Sequence, residues 1–228
     1  MKFSIENFVY GAIDGAVTTF AIVTGVIGAS LSPSIIVILG FANLLADGFS
    51  MAIGNYLAIK TQNELIQRER KKEEWEIDNR IDEEKQEIRD IYSKKGFKED
   101  LLEEIVRIIT SRRKVWIDTM MREELGLIEG KYSPIVSAVN TFLGFNAIGI
   151  IPLVPFIFVY LSGSNVSISN ALLYSIVATP SSFFLIGNIR GKVVHKSIIA
   201  SGFNTVLIGG AAAAVSYCIG YVLSTIIH

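Results

Sequence analysis

Charge is distributed so unevenly along this chain that the sequence divides into regions suited to two different solvents. Between Lys60 and Lys131 there are 17 Lys/Arg and 19 Asp/Glu, 36 charges in 72 residues, whereas the other 156 residues hold seven. A folded soluble surface is normally about a quarter or more charged. The sparse region therefore fits lipid and the dense region fits water, which predicts an integral membrane protein carrying one inserted polar domain, with segments 1–59, 60–131 and 132–228. The near balance of 21 basic and 22 acidic residues leaves no basic excess for nucleic acid. The single cysteine, Cys218, excludes a disulfide framework and reads as a small buried apolar residue.

The apolar runs Phe8 to Leu31 and Ile35 to Ile59 each exceed the roughly 20 residues that a helix needs to cross about 30 Å of hydrocarbon. Ser32-Pro33 separates them. After the charged insert come Pro134 to Leu161, Ile168 to Ile189 and Ser197 to Ile227, divided by Ser162–Asn165 and by the basic turn Arg190 to Lys196. This pattern predicts five membrane-spanning helices, with kinks at Pro152, Pro155 and Pro180 where neighbouring groups satisfy the freed carbonyls. A cleaved signal peptide is the competing reading of the first run, and its length and its Asp14 argue against that.

Lys and Arg are retained on the cytoplasmic side of membranes. All 21 lie in the N-terminal segment (Lys2), the insert, or the turn holding Arg190, Lys192 and Lys196. This bias predicts a cytoplasmic N-terminus, insert and last turn, with His228 at an outer or luminal C-terminus.

Two acids fall within the spans, Asp14 and Asp47. Each costs about 2.5–3.5 kcal/mol at a helix centre, so each calls for a functional explanation. In the second span Gly40, Asn43, Asp47, Met51 and Gly54 recur at spacings of 3, 4, 4 and 3, one face of a helix. Carboxylate and amide oxygens with a thioether sulfur suit a borderline divalent transition metal. Because protons and cations compete for a carboxylate, such a face also permits metal to exchange for protons. Ordinary packing is the alternative for Met51, and a membrane-interface position is the alternative for Asp47. On the first span Gly11-x-x-x-Gly15, with Thr18, Gly25 and Gly28, makes a small-residue surface that allows close backbone approach.

At these residues the sequence resembles the vacuolar iron transporter family. The match is carried by the block Asp14 to Gly25, by Ala42 to Met51 with Gly54, Tyr56 and Leu57, and by Trp116, Met120, Met121, Glu124, Leu125 and Gly126. Ile151, Pro152 and Pro155 support it, and it extends over essentially the whole chain. The resemblance implies five transmembrane helices and a three-helix cytoplasmic metal-binding domain between helices 2 and 3. It further implies a homodimer in the lipid bilayer with the path at the subunit interface, and proton-driven export of Fe²⁺ from the cytoplasm, with Mn²⁺, Zn²⁺ or Co²⁺ as further cargoes and no permanent cofactor. The family's path residues fall at Asp14 and Met51. A glutamate of its plant members falls at Asn43, and Asp47, one turn along, is available to substitute for it. The cytoplasmic ligands fall at Glu73, Glu76, Glu84, Glu87, Met120, Met121 and Glu124.

Read from the residues, the insert offers one helix from Lys60 to Tyr92, capped near Lys95-Gly96, a second from about Glu99 to Thr110 and a third from about Ser111 to Gly126. On a continuous first helix Glu73, Glu76, Glu84 and Glu87 share an arc of about 80° beside Ile77, Ile81, Ile88 and Ile91. Carboxylates bordering an apolar stripe are expensive unless paired or liganding. A solvated glutamate-rich face is the competing reading. His195 reads as a surface residue.

The leading expectation is a metal/proton exchanger of a prokaryotic plasma membrane or of a vacuolar or other organelle membrane. The competing class is a non-transporting metal sensor or scaffold, in which the helices only anchor the insert. No zinc-protease, phosphate-loop or triad motif marks an enzyme.

Overall fold

The computed structural model describes residues 3–128, 130, 133–161 and 168–227. Lys2, Lys131, the loop residues Ser162–Asn165 and His228 lie outside these. The described helices are α1 (Ile5–Gly28), α2 (Pro33–Asn79), α3 (Ile81–Lys94), α4 (Glu99–Thr110), α5 (Arg113–Glu123), α6 (Pro134–Gly149), α7 (Val154–Leu161), α8 (Ile168–Val193) and α9 (Ile198–Ile227). They form two compact units, one from residues 1–57 with 132–228 and one from residues 58–131.

Five segments are long and apolar enough to cross a membrane: α1, α2, the stretch Pro134–Leu161, Asn170–Val193 and α9. In α2 that character belongs to the residues before Lys60. α1 begins earlier than its apolar run because Ser4 caps it, its Oγ accepting from the Asn7 amide at 3.4 Å. α6 starts on the same logic, with Ser133 as cap and Pro134 in the first turn. The expected kink in the third span is a full break, a 3₁₀ turn over Ile151–Leu153 between α6 and α7. The Val154 amide takes up the Ile151 carbonyl, and Ser175 Oγ of α8 donates to the Pro152 carbonyl at 3.0 Å. Pro180 sits inside an unbroken α8. Arg190 and Lys192 belong to the last turn of that helix, where cations complement its dipole.

α1 is the axis of the first unit and packs on α6, α8 and α9. The contacts with α6 and α9 are backbone to backbone. A Cβ on Gly11 would collide with the Thr141 carbonyl oxygen, one on Gly15 with that of Phe145, and one on Gly144 with that of Phe8. Gly28 and Gly220 meet α9 and α1 carbonyls in the same way. Phe20, Val23, Phe145, Leu153 and Phe183 fill the core around this seam. The outward faces of α2 and α9 carry exposed Ile38, Phe41, Leu45, Phe49, Phe203, Leu207, Val215 and Val222. A continuous apolar exterior of this kind fits a bilayer rather than water. Cys218 lies on that exposed exterior and is not the buried residue expected.

The second unit departs from the expected three helices. The charged part of α2 ends at Asn79, and Arg80, at φ −135° and ψ 42°, separates it from α3. The Asn79 side-chain amide donates to the Trp75 carbonyl at 2.7 Å, competing with the backbone ladder at that point. Ile81, just past the break, is 49% exposed, while Ile77 and Ile88 stay buried. α3 ends as predicted at Lys95-Gly96, with Gly96 at φ +98°. Ile66, Ile77, Ile88, Val106, Ile109, Trp116 and Ile117 form the core of this unit.

The seam makes a direct prediction. Gly15→Leu should destabilise the detergent-solubilised protein by at least about 1–3 kcal/mol in thermal unfolding. Gly210→Ala, which meets no atom within 4 Å, should leave stability unchanged or slightly raised.

Candidate functional site

In the first unit, α1 and α2 carry the two intramembrane acids. Asp14 and Asp47 are both half-buried. Asn43 fixes the register between the helices, its amide nitrogen donating to Thr18 Oγ1 at 3.2 Å and Thr19 Oγ1 at 3.4 Å. Thr18 in turn donates to the Asp14 carbonyl at 2.9 Å. Met51 is half-buried on the same row and packs against the apolar core. Leu44, Gly48 and Ala52 form the buried row next to it, and a Cβ on Gly48 would press on the Phe145 ring.

The row continues to Asn55, a residue that the sequence reading passed over. Its amide nitrogen donates to Asn7 Oδ1 at 2.9 Å and to Thr141 Oγ1 at 2.7 Å, which ties α2 to α1 and α6. The signal is in the sequence, since Asn43, Asp47, Met51 and Asn55 are joined by three successive steps of i, i+4.

The second unit holds the other acid set. Glu73 and Glu84 are 2% and 4% exposed, and the Oε2 atom of each is buried without a hydrogen-bond partner. These two residues are not a solvated face. Glu73 feels the charges of Glu124, Glu76 and Glu87, and Glu84 feels those of Glu87, Glu73, Glu76 and Glu124. Glu124, at the C-cap of α5, feels the charges of Glu87 and Glu76. Glu76 is paired with Lys72 at 3.1 Å. The acids at the margin are neutralised instead by bases: Arg89 with Glu103, Arg113 with Asp78, Arg70 with Asp118 and Lys95 with Glu123. Met120 and Met121 are buried in the core under the acid set.

Burial, followed by the charge of neighbouring acids, pushes the Glu73 and Glu84 carboxyls up to about 7. Burial, then Glu87, raises Glu124 in the same direction. Among the described residues no three His, Cys, Asp or Glu side chains converge closely enough to grip one ion. The acids thus form an open field of negative charge and not a closed cage. Unpartnered, buried carboxylate oxygens are chemically suited to hard and borderline dications, and they relax by taking up either a proton or a metal.

Residues 5–221 match the VIT family. A protein named vacuolar iron transporter in Toxoplasma gondii is 35% identical over 227 residues, 98% of this chain and 75% of that protein. One of the same name in Plasmodium falciparum is 32% identical over 226 residues, 97% of this chain and 83% of that protein. Vacuolar iron transporter 1 of Tulipa gesneriana is 29% identical over 223 residues, 97% of this chain and 88% of that protein. These names are those of transporters, not of enzymes.

The acid set predicts how stability changes with pH. Glu73 and Glu84 titrate near 7 in the fold against an ordinary value of 4.5. The stabilisation they confer when protonated is therefore present below about pH 4.5 and is lost as pH rises through 7. With chelator present, the chain in detergent should unfold at lower temperature at pH 8 than at pH 5. Glu73→Gln should recover about 1–3 kcal/mol at pH 8 and little at pH 5. Mn²⁺ at pH 8 should raise the unfolding temperature of wild type more than that of the variant. Equal stability of the metal-free protein at both pH values would remove the argument.

Proposed function

Since the chain belongs to the VIT family, the one its motifs resemble, we propose that it carries Fe²⁺ across a membrane in exchange for protons, with Mn²⁺, Zn²⁺ and Co²⁺ as further cargoes. The observation that carries this reading is that Asp14 and Asp47, the two acids of the apolar spans, lie half-buried on α1 and α2, which Asn43 ties together. Each acid costs about 2.5–3.5 kcal/mol at the centre of a spanning helix. A proton or a cation relieves that cost, and the two compete for the same oxygens. Met51 adds a thioether sulfur on the same row, and Asn43 keeps its amide oxygen as an acceptor while its nitrogen holds α1. A mixed oxygen and sulfur set suits Fe²⁺ better than Mg²⁺ or Ca²⁺.

In this reading Asp14 and Asp47, deprotonated toward the cytoplasm, take the dication. Protons arriving from the far side neutralise the carboxylates and release it, so charge on the two acids stays balanced. Residues 60–131 are the cytoplasmic collecting domain, where Glu73, Glu76, Glu84, Glu87 and Glu124, with the sulfurs of Met120 and Met121, bind the ion before transfer. The unpartnered oxygens of Glu73 and Glu84 support that role. The chain works as a homodimer in the bilayer, with α1 and α2 of the two copies lining the path, and the half-exposure of Asp14 and Asp47 in one chain is consistent with this. The N-terminus, the collecting domain and the Arg190–Lys196 turn face the cytoplasm. The names of the relatives favour an organelle membrane. A sensor or scaffold would have no use for the Asp14–Asp47 pair.

Proteoliposomes containing the protein and a metal-sensitive dye test the proposal. Fe²⁺ or Mn²⁺ flux should depend on an imposed pH gradient and fall at least about tenfold in Asp14→Ala and Asp47→Asn, the loss of one transition-state-stabilising contact of roughly 1.4 kcal/mol or more. Wild-type flux in Asp47→Asn would remove Asp47 from the path.

A further inference from the structure

Beside Asp14, the first unit contains a cleft for which the transport reading names no occupant. One arm, about 460 Å³, lies along α1, the end of α8 and α9, and its walls include Val9, Ile13, Val17, Val193 and Ile208. A second cavity, about 540 Å³, lies at the α8–α9 turn and is lined by Arg190, Lys196, Ser197, Ser201 and Asn204 among others. Arg190 and Val194 line both, so the two cavities adjoin; the first is mostly apolar, with Glu6 and Asp14 in its wall, and the second is cationic.

The cationic head of the cleft is exposed. The described ion pairs all join residues of the second unit. Arg190 and Lys196 have no acidic partner among the described residues. Ser197 Oγ accepts from the Ala200 amide at 3.4 Å and so caps α9 beside these cations. Glu6, an acid lining the apolar arm, accepts a hydrogen bond from Ser4 Oγ at 3.4 Å.

We propose that this cleft binds one anionic phospholipid, with its phosphate between Arg190 and Lys196 and an acyl chain along Val9, Ile13 and Ile208. Basic pockets between spanning helices recognise such headgroups. Free phosphate would satisfy the cations but leave the apolar arm unfilled. A choline headgroup would bring a third positive charge to the same place. Asp14 also lines the apolar arm, so a bound acyl chain shields that side of the carboxylate from water. The inference rests on the cleft alone and does not depend on what the protein transports.

Native mass spectrometry of the full chain in detergent, offered equal phosphatidylglycerol and phosphatidylcholine, tests it. A single phosphatidylglycerol adduct should exceed the phosphatidylcholine adduct by roughly five-fold per cation engaged. Arg190→Gln with Lys196→Gln should abolish that preference. Ile208→Trp, which fills the apolar arm and keeps both cations, should also reduce the adduct, while excess inorganic phosphate should leave it in place. Lys192→Gln, an exposed cation of the same turn outside the cleft, should bind lipid as wild type does. Equal adducts of the two lipids would overturn the proposal, as would equal losses in Lys192→Gln and the double variant. Displacement by inorganic phosphate together with no effect of Ile208→Trp would make this a free-phosphate site and also overturn it.

Discussion

Because Gly11, Gly15 and Gly144 have no Cβ, α1 and α6 meet carbonyl against backbone, and Gly28 and Gly220 let α1 meet α9 in the same way. Helices in lipid gain little from apolar burial against one another, so close packing of small residues and interhelical hydrogen bonds must hold them. With these faces of α1 committed, Thr18 is left on the flank that meets α2, one turn from Asp14. Asn43 and Asn55 then tie α2 to that flank and to α6. The position of the Asp14–Asp47 pair is thus a consequence of glycine packing on one side of α1 and amide hydrogen bonds on the other.

The second unit reaches a similar electrostatic condition by a different route. A core of isoleucines, Trp116 and the two methionines supports helices whose inner acids are buried, while arginines and lysines at the margin neutralise the outer ones. Glu73 and Glu84 are left with buried, unpartnered oxygens. Both acid sets therefore hold unfavourable charge in place by packing, a stability sacrifice typical of functional sites. On the proposed reading, protons and dications are the alternative means of relieving it.

Much of this was legible in the residues. The charge partition, the five apolar runs, Gly11-x-x-x-Gly15 and the row Asn43, Asp47, Met51 each follow from helical spacing, a local property. What was not legible depends on a neighbour. Periodicity alone could not tell that Glu73 and Glu84 are covered while Glu83 is exposed, because that depends on which helix packs alongside. The break at Arg80 lies beside a side-chain hydrogen bond of Asn79, which no apolar pattern encodes. Asn55 continues the i, i+4 row, but its tie to α1 and α6 depends on Asn7 and Thr141, which the row does not show. Cys218 was assigned to the interior on residue type, although its helix turns that face outward.

The central claim is that metal and protons compete for the same carboxylates, and it is tested most directly by driving the exchange backwards. Sealed vesicles carrying the protein would start with equal pH on both sides and receive only a Mn²⁺ gradient, with internal pH followed by a trapped dye. Competition predicts that metal entry drives protons out, that the internal pH rises, and that Asp14→Ala abolishes the change. Metal entry with no movement of internal pH would contradict the account and would describe a channel.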